Sequence, residues 1–184
     1  MIIEKHKTLF IHIPKNAGTS IKMHFNKDLP KPFLHNTIHD VKALIENHDV
    51  YKKFAVVRNP YDRMVSWFFY LKESCKNDGF NLKEVFDIDF NDWVEDPNKS
   101  FYVDRYVPKY LLQPQHYWVD ETVSILKYEN LDKELNNFFN EKIDLQITNK
   151  SKHGNYLKYY NKNSFKIVYD RYKDDFKKFN YRKL

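Results

Sequence analysis

A chain of 184 residues with 42 % hydrophobic and 17 % aromatic residues can build one ordinary domain around a substantial core, which excludes a disordered chain and leaves little room for a second domain. The formal net charge of +6 favours anionic partners, but 26 of the 31 basic residues are Lys in a chain also rich in Asn and Tyr, so the charge argues only weakly for nucleic acid. The single cysteine, Cys75, excludes an internal disulfide and a cysteine-rich metal site, and a reducing cytoplasm is the expected compartment.

Met1 to Thr8 is charged and leads into only a short apolar run, so neither a signal peptide nor a membrane span is expected. Thr8 to Ile13 predicts a buried strand, Pro14 to Gly18 a turn, and Thr19 to about Asn26 a helix. Phe54 to Val57 predicts a second strand, Arg58-Asn59-Pro60 a turn, and Tyr61 to about Ser74 a helix whose first turn suits Pro60. Asn81 to Glu95 predicts a further helix, and Ser100 to Trp118, with Pro108 and Pro114, an irregular stretch. Val123 to Tyr128 predicts a third strand, Leu131 to Asn140 a helix, and Ser164 to Phe179 a last amphipathic helix. The alternation implies an α/β fold with a central parallel sheet covered by helices, and the lack of repeats or flexible linkers implies one domain over 1–184.

The first turn, Pro14-Lys15-Asn16-Ala17-Gly18-Thr19-Ser20, joins a strand to a helix, where backbone N–H groups and the positive helix end can face an anion. Gly18 permits close backbone approach, Thr19 and Ser20 carry hydroxyls, and Lys15 supplies a mobile charge. In an ATP or GTP loop the lysine follows the second glycine, whereas here it precedes the loop's only glycine by three residues, which disfavours that class. Read alone, the segment is equally a capped helix start with a solvated lysine. The second turn places Arg58 at a strand's carboxyl end, where open α/β sheets bind ligands, with Ser66 about two turns into the next helix. Arg58 and Arg63 are two of only five arginines, and a guanidinium fork suits a phosphate better than lysine does. Arg63 reads equally well as a residue on the helix's outer face.

Together these two segments resemble the sulfotransferase family: the first is similar to its 5'-phosphosulfate loop, and the second to its 3'-phosphate motif with arginine and serine eight residues apart. The resemblance implies a three-layer P-loop-like fold and 3'-phosphoadenosine 5'-phosphosulfate (PAPS) as donor, with 3'-phosphoadenosine 5'-phosphate (PAP) as product. It implies that Lys15 meets the sulfuryl end and the bridging oxygen, that Asn16, Ala17, Gly18, Thr19 and Ser20 hold the 5'-phosphate, and that Arg58 with Ser66 takes the 3'-phosphate. Leu126-Lys127-Tyr128-Glu129-Asn130-Leu131 is similar to a strand-end segment of the membrane-type, carbohydrate-directed branch, and Asn149-Lys150-Ser151 to the start of its late polar loop. By that likeness the acceptor is a carbohydrate hydroxyl, and Lys150, Lys152 and Gly154 close over the donor. Glu129 reads as an anchor at the strand end, and Gln113 and Gln115 as lining the acceptor cleft or satisfying backbone groups.

Sulfuryl transfer requires in-line attack and stabilisation of charge on the leaving phosphate, which Lys15 and backbone N–H groups can supply, so no metal is expected. The general base is expected to be His35, whose place in Leu34-His35-Asn36-Thr37-Ile38-His39-Asp40 matches the relatives' histidine, with His39 or a Glu as alternatives. His12, on the strand, reads as structural. Two other classes stay open: a nucleotide-dependent kinase-like enzyme needing magnesium, and a basic nucleic-acid-binding module, for which no motif is present.

Overall fold

In the computed structural model, the described residues are 1–25, 35–77, 88–96, 112–146 and 153–184. Among them the elements run β1 (Ile2–Ile3), β2 (Thr8–Ile11), α1 (Gly18–His24), α2 (Ile38–Leu44), β3 (Lys52–Val57), α3 (Pro60–Asn77), α4 (Phe90–Glu95), β4 (Ser124–Lys127), α5 (Leu131–Phe139) and α6 (Lys162–Lys178). All three anticipated strands are present, and the predicted helix starts at 19, 61, 131 and 164 lie within two residues of those observed. The N-terminal part of the helix expected over 81–95, and Pro108 in the irregular stretch, lie outside the described residues. The chain clusters into two compact units, one formed by 1–58 and 115–150, the other by 59–114 and 151–184.

The first unit holds a four-stranded sheet in the order β1-β2-β3-β4. β2, β3 and β4 are parallel, with Ile11 opposite Ala55 and Val57 opposite Lys127, whereas the two-residue β1 is antiparallel to β2. The fold is thus α/β with a mostly parallel sheet. Every residue of β2 and all but the first of β3 are buried, the pattern of strands covered on both faces. Side chains alternate across the sheet, so Phe10, Phe54, Val56 and Leu126 share a core with Ile21 of α1 and Leu131 and Leu135 of α5. Phe10 and Phe54 stack with ring centroids 4.9 Å apart.

α2 and β1 were not anticipated, although α2 carried a local signal. Thr37 and Asp40 form a capping box: the Asp40 N–H donates to Thr37 Oγ1 at 3.2 Å, and the Thr37 N–H to Asp40 Oδ2 at 2.7 Å. The helix is then tied to the turn before β4 by Lys42 Nζ donating to Asp120 Oδ2 at 2.7 Å.

The second unit is helical among its described residues. α3 is buried almost all round through its first turns, with Tyr61, Met64, Val65, Trp67, Phe68 and Leu71 inside. α6 starts at a capping box of Asn161 and Ser164 and turns Val168, Tyr172 and Phe176 inward at spacings of four. Tyr61 meets Phe176 at 4.9 Å between centroids, and Phe68 meets Trp93 of α4 at 5.6 Å, which joins the three helices by aromatic packing. No helix among the described residues is long and apolar enough to cross a membrane.

Candidate active site

β2 ends at Ile11, two residues earlier than predicted, and the chain enters the loop over 12–17 through a turn in which the Ile13 N–H donates to the Ile11 carbonyl at 3.1 Å. Lys15 (φ 69°) and Ala17 (φ 62°) both adopt the left-handed region, which costs an L-residue roughly 1 kcal/mol or more each. α1 follows directly, with Gly18 as its first residue. Gly18 was expected to permit close backbone approach to a ligand; apart from any ligand, packing demands it, because a Cβ on Gly18 would overlap the His12 imidazole.

His12 is sandwiched between Phe10 and His35, with centroids 5.7 and 4.3 Å away. Burial, then the nearby His35 and cationic groups including Lys15, hold its pKa well below 6.5, so it is neutral at pH 7. Its Nδ1 is buried without a hydrogen-bond partner among the described residues.

The half-buried His35 sits in the left-handed region (φ 64°) just before the α2 cap, with Nδ1 3.3 Å from the His12 carbonyl oxygen. A carbonyl can only accept, so Nδ1 carries the proton and Nε2 keeps its lone pair. Burial lowers the pKa of His35 from 6.5 and its bond to the His12 carbonyl opposes this; the net shift is downward. A neutral imidazole with a basic Nε2 is the state a general base needs. His39, the alternative, is exposed on α2.

The remaining loop residues divide sharply. Asn16 is 0 % exposed and its Nδ2 donates to the Val56 carbonyl and to Gln115 Oε1, each at 2.7 Å, so its side chain faces the sheet. Thr19 is exposed, Ser20 is buried, and Lys15 is half-buried. Arg58 follows β3, as expected, and is 6 % exposed. Its Nη1 donates to the Lys15 carbonyl at 3.2 Å, and its guanidinium lies 4.3 Å over the centroid of the Tyr128 ring. The parallel pairing of β2 and β3 puts both carboxyl ends on one edge of the sheet, and that edge gathers Lys15, His35 and Arg58.

In the second unit, Ser66 is buried on α3. Arg63 is not on an outer face: it is 2 % exposed, and its Nη1 donates to the Gln113 carbonyl at 3.0 Å. Gln115 does satisfy backbone groups, those of Arg58, and no periodic signal marked it. Glu129 is exposed in the helical turn after β4. Gly154 is exposed, and among the described residues nothing lies where a side chain on it would reach. Lys150 and Lys152, with the segment from Asn149 to Ser151, lie outside the described residues.

A lysine loop and an arginine at adjacent carboxyl ends of parallel strands form the edge at which α/β enzymes hold anionic ligands. Residues 1–116 match the sulfotransferase family, and the chain belongs to it, as a family 2 member. The protein is accordingly a transferase of sulfuryl groups. No curated protein and no solved structure matches the chain.

Proposed function

We propose that this sulfotransferase moves a sulfuryl group from PAPS to a hydroxyl of a carbohydrate or glycan by in-line displacement, releasing PAP, in a cytoplasmic setting and on a three-layer P-loop-like fold. The observation that carries the reading is the meeting of the two cationic segments, with the Arg58 guanidinium against the Lys15 carbonyl. PAPS supplies an activated sulfuryl group on a phosphate leaving group. In this reading Lys15 neutralises charge that grows on that phosphate, and backbone N–H groups of Asn16, Ala17 and Gly18, with the Thr19 and Ser20 hydroxyls, hold the 5' end. Arg58 takes the 3'-phosphate through its planar fork. Ser66 and Lys152 join the donor-binding set on the family resemblance alone. His35 accepts the acceptor's proton at Nε2, and no step calls for a metal.

Titration with PAP and AMP, which differ by the 3'-phosphate, tests the reading. The parent protein is expected to prefer PAP clearly, and Arg58→Ala to lose that preference. Lys15→Ala is expected to lower kcat more than PAP affinity, because its charge matters most as the leaving group forms. Equal affinity of the parent for the two nucleotides would sink the donor assignment. A shift in melting temperature with magnesium ATP and none with PAP would favour the kinase-like alternative.

A further inference from the structure

Two backbone groups just past β3 dictate how one buried side chain must sit. The Arg58 N–H donates to Gln115 Oε1 at 2.9 Å, and Gln115 Nε2 donates to the Arg58 carbonyl at 2.8 Å. An N–H can meet only the amide oxygen and a carbonyl only the nitrogen, so the orientation of Gln115 admits no flip. Oε1 therefore faces Asn16, whose Nδ2 donates to it at 2.7 Å and also to the Val56 carbonyl at 2.7 Å. That fixes the Asn16 amide in turn and leaves its Oδ1 buried without a hydrogen-bond partner among the described residues. Asn16 lies between the two left-handed residues of the lysine loop. Gln115 and Asn16 are both 0 % exposed, so water does not compete for these bonds. One glutamine amide thus clamps the middle of the Lys15 loop to the backbone that launches the Arg58 side chain. The Arg58 bond to the Lys15 carbonyl closes the same ring from the other side.

We infer that Gln115 is a positioning residue of the donor site: it sets the placement of Arg58 relative to the lysine loop, and with it the selectivity for a nucleotide bearing a 3'-phosphate. The inference rests on the donor reading given above. Gln115 touches no substrate in this role and acts through Asn16 and Arg58.

The test measures PAP and AMP affinity by calorimetry for the parent, Gln115→Met, Arg58→Ala and the double variant. Methionine keeps the bulk and removes the three bonds. The ratio of PAP to AMP affinity is expected to fall roughly tenfold in Gln115→Met, as for the loss of buried hydrogen bonds. The double variant should show the ratio of Arg58→Ala, because the effect passes through Arg58. A merely structural glutamine would weaken both nucleotides alike, so an unchanged ratio in Gln115→Met, with Arg58→Ala having lost it, overturns the inference and leaves the donor reading intact. Should Gln115→Met lack a cooperative melt, Asn16→Ala cuts the clamp from the loop side, with the same expected fall, and an unchanged ratio there overturns the inference. A parent without preference for PAP removes the donor reading and the inference together.

Discussion

His12 and Gly18 are six residues apart and compete for one volume, and that competition explains the glycine more directly than any ligand does. Because the His12 ring occupies the space a Cβ would need, Gly18→Ala must push the imidazole off Phe10 and His35. Overpacking of this kind costs roughly 1–3 kcal/mol. Gly154 has no neighbour to displace among the described residues, so Gly154→Ala should stay within about 0.5 kcal/mol of the parent. Urea unfolding of the two variants checks the contrast, and equal midpoints would show that His12 yields without strain. Since His35 rests on His12, Gly18→Ala should also disturb the expected base, through the ring contact and through the His12 carbonyl.

Helix α2 shows how a short element is stabilised from outside itself. Seven residues are too few for an isolated helix, so its capping box and its link to Asp120 carry weight beyond propensity. Burial pushes the Asp120 carboxyl up, but hydrogen bonds from Lys42 and Thr122 outweigh it and bring it down to about 2. The hydrogen bond that Lys42 donates to Asp120 raises the pKa of Lys42 in turn, so both partners shift toward the ion pair. A folded-state pKa depressed from 3.8 to about 2 means the carboxylate's contribution is fully present above about pH 4 and is lost as pH falls through 2. Asp120→Asn should therefore cost about 1 kcal/mol at pH 7, and the parent and variant should converge only below the folded pKa, near about pH 1. Denaturant midpoints measured down to that pH decide it: a gap that persists undiminished there would assign the effect to packing rather than charge.

A formal net charge of +6 draws many anions to the chain, so binding alone says little about its donor. Linkage gives a stricter criterion, because a ligand that binds only the folded chain stabilises it by an amount set by concentration over Kd. At a hundredfold excess over Kd, PAP should raise the unfolding free energy by about 2.7 kcal/mol, whereas AMP at the same concentration should do clearly less. Thermal melts with each nucleotide read this directly. A stabilisation by PAP and AMP alike that disappears in 0.5 M salt would reduce the effect to general attraction of anions, as a basic nucleic-acid binder would show.

Elements declared by local pattern were legible before any coordinates. The apolar runs of β2, β3 and β4 end at Pro14, at Arg58-Asn59-Pro60 and at Tyr128-Glu129-Asn130, and the polar or proline punctuation that stops a strand acts over a few residues. The lysine loop and the arginine turn were legible for the same reason, as was the family they point to. What escaped depends on partners distant along the chain. Gln115 lies 57 residues from Arg58 and 99 from Asn16, with no periodicity around it, and only its placement beside the end of β3 gives its amide two backbone groups to match. Arg63 read equally well as a phosphate ligand and as a surface residue, because a helix pattern cannot reveal that the Gln113 carbonyl meets it on its buried side. Local hydrophobicity and turn chemistry are written in neighbouring residues, whereas the satisfaction of a buried polar group is settled by whichever segment folds against it.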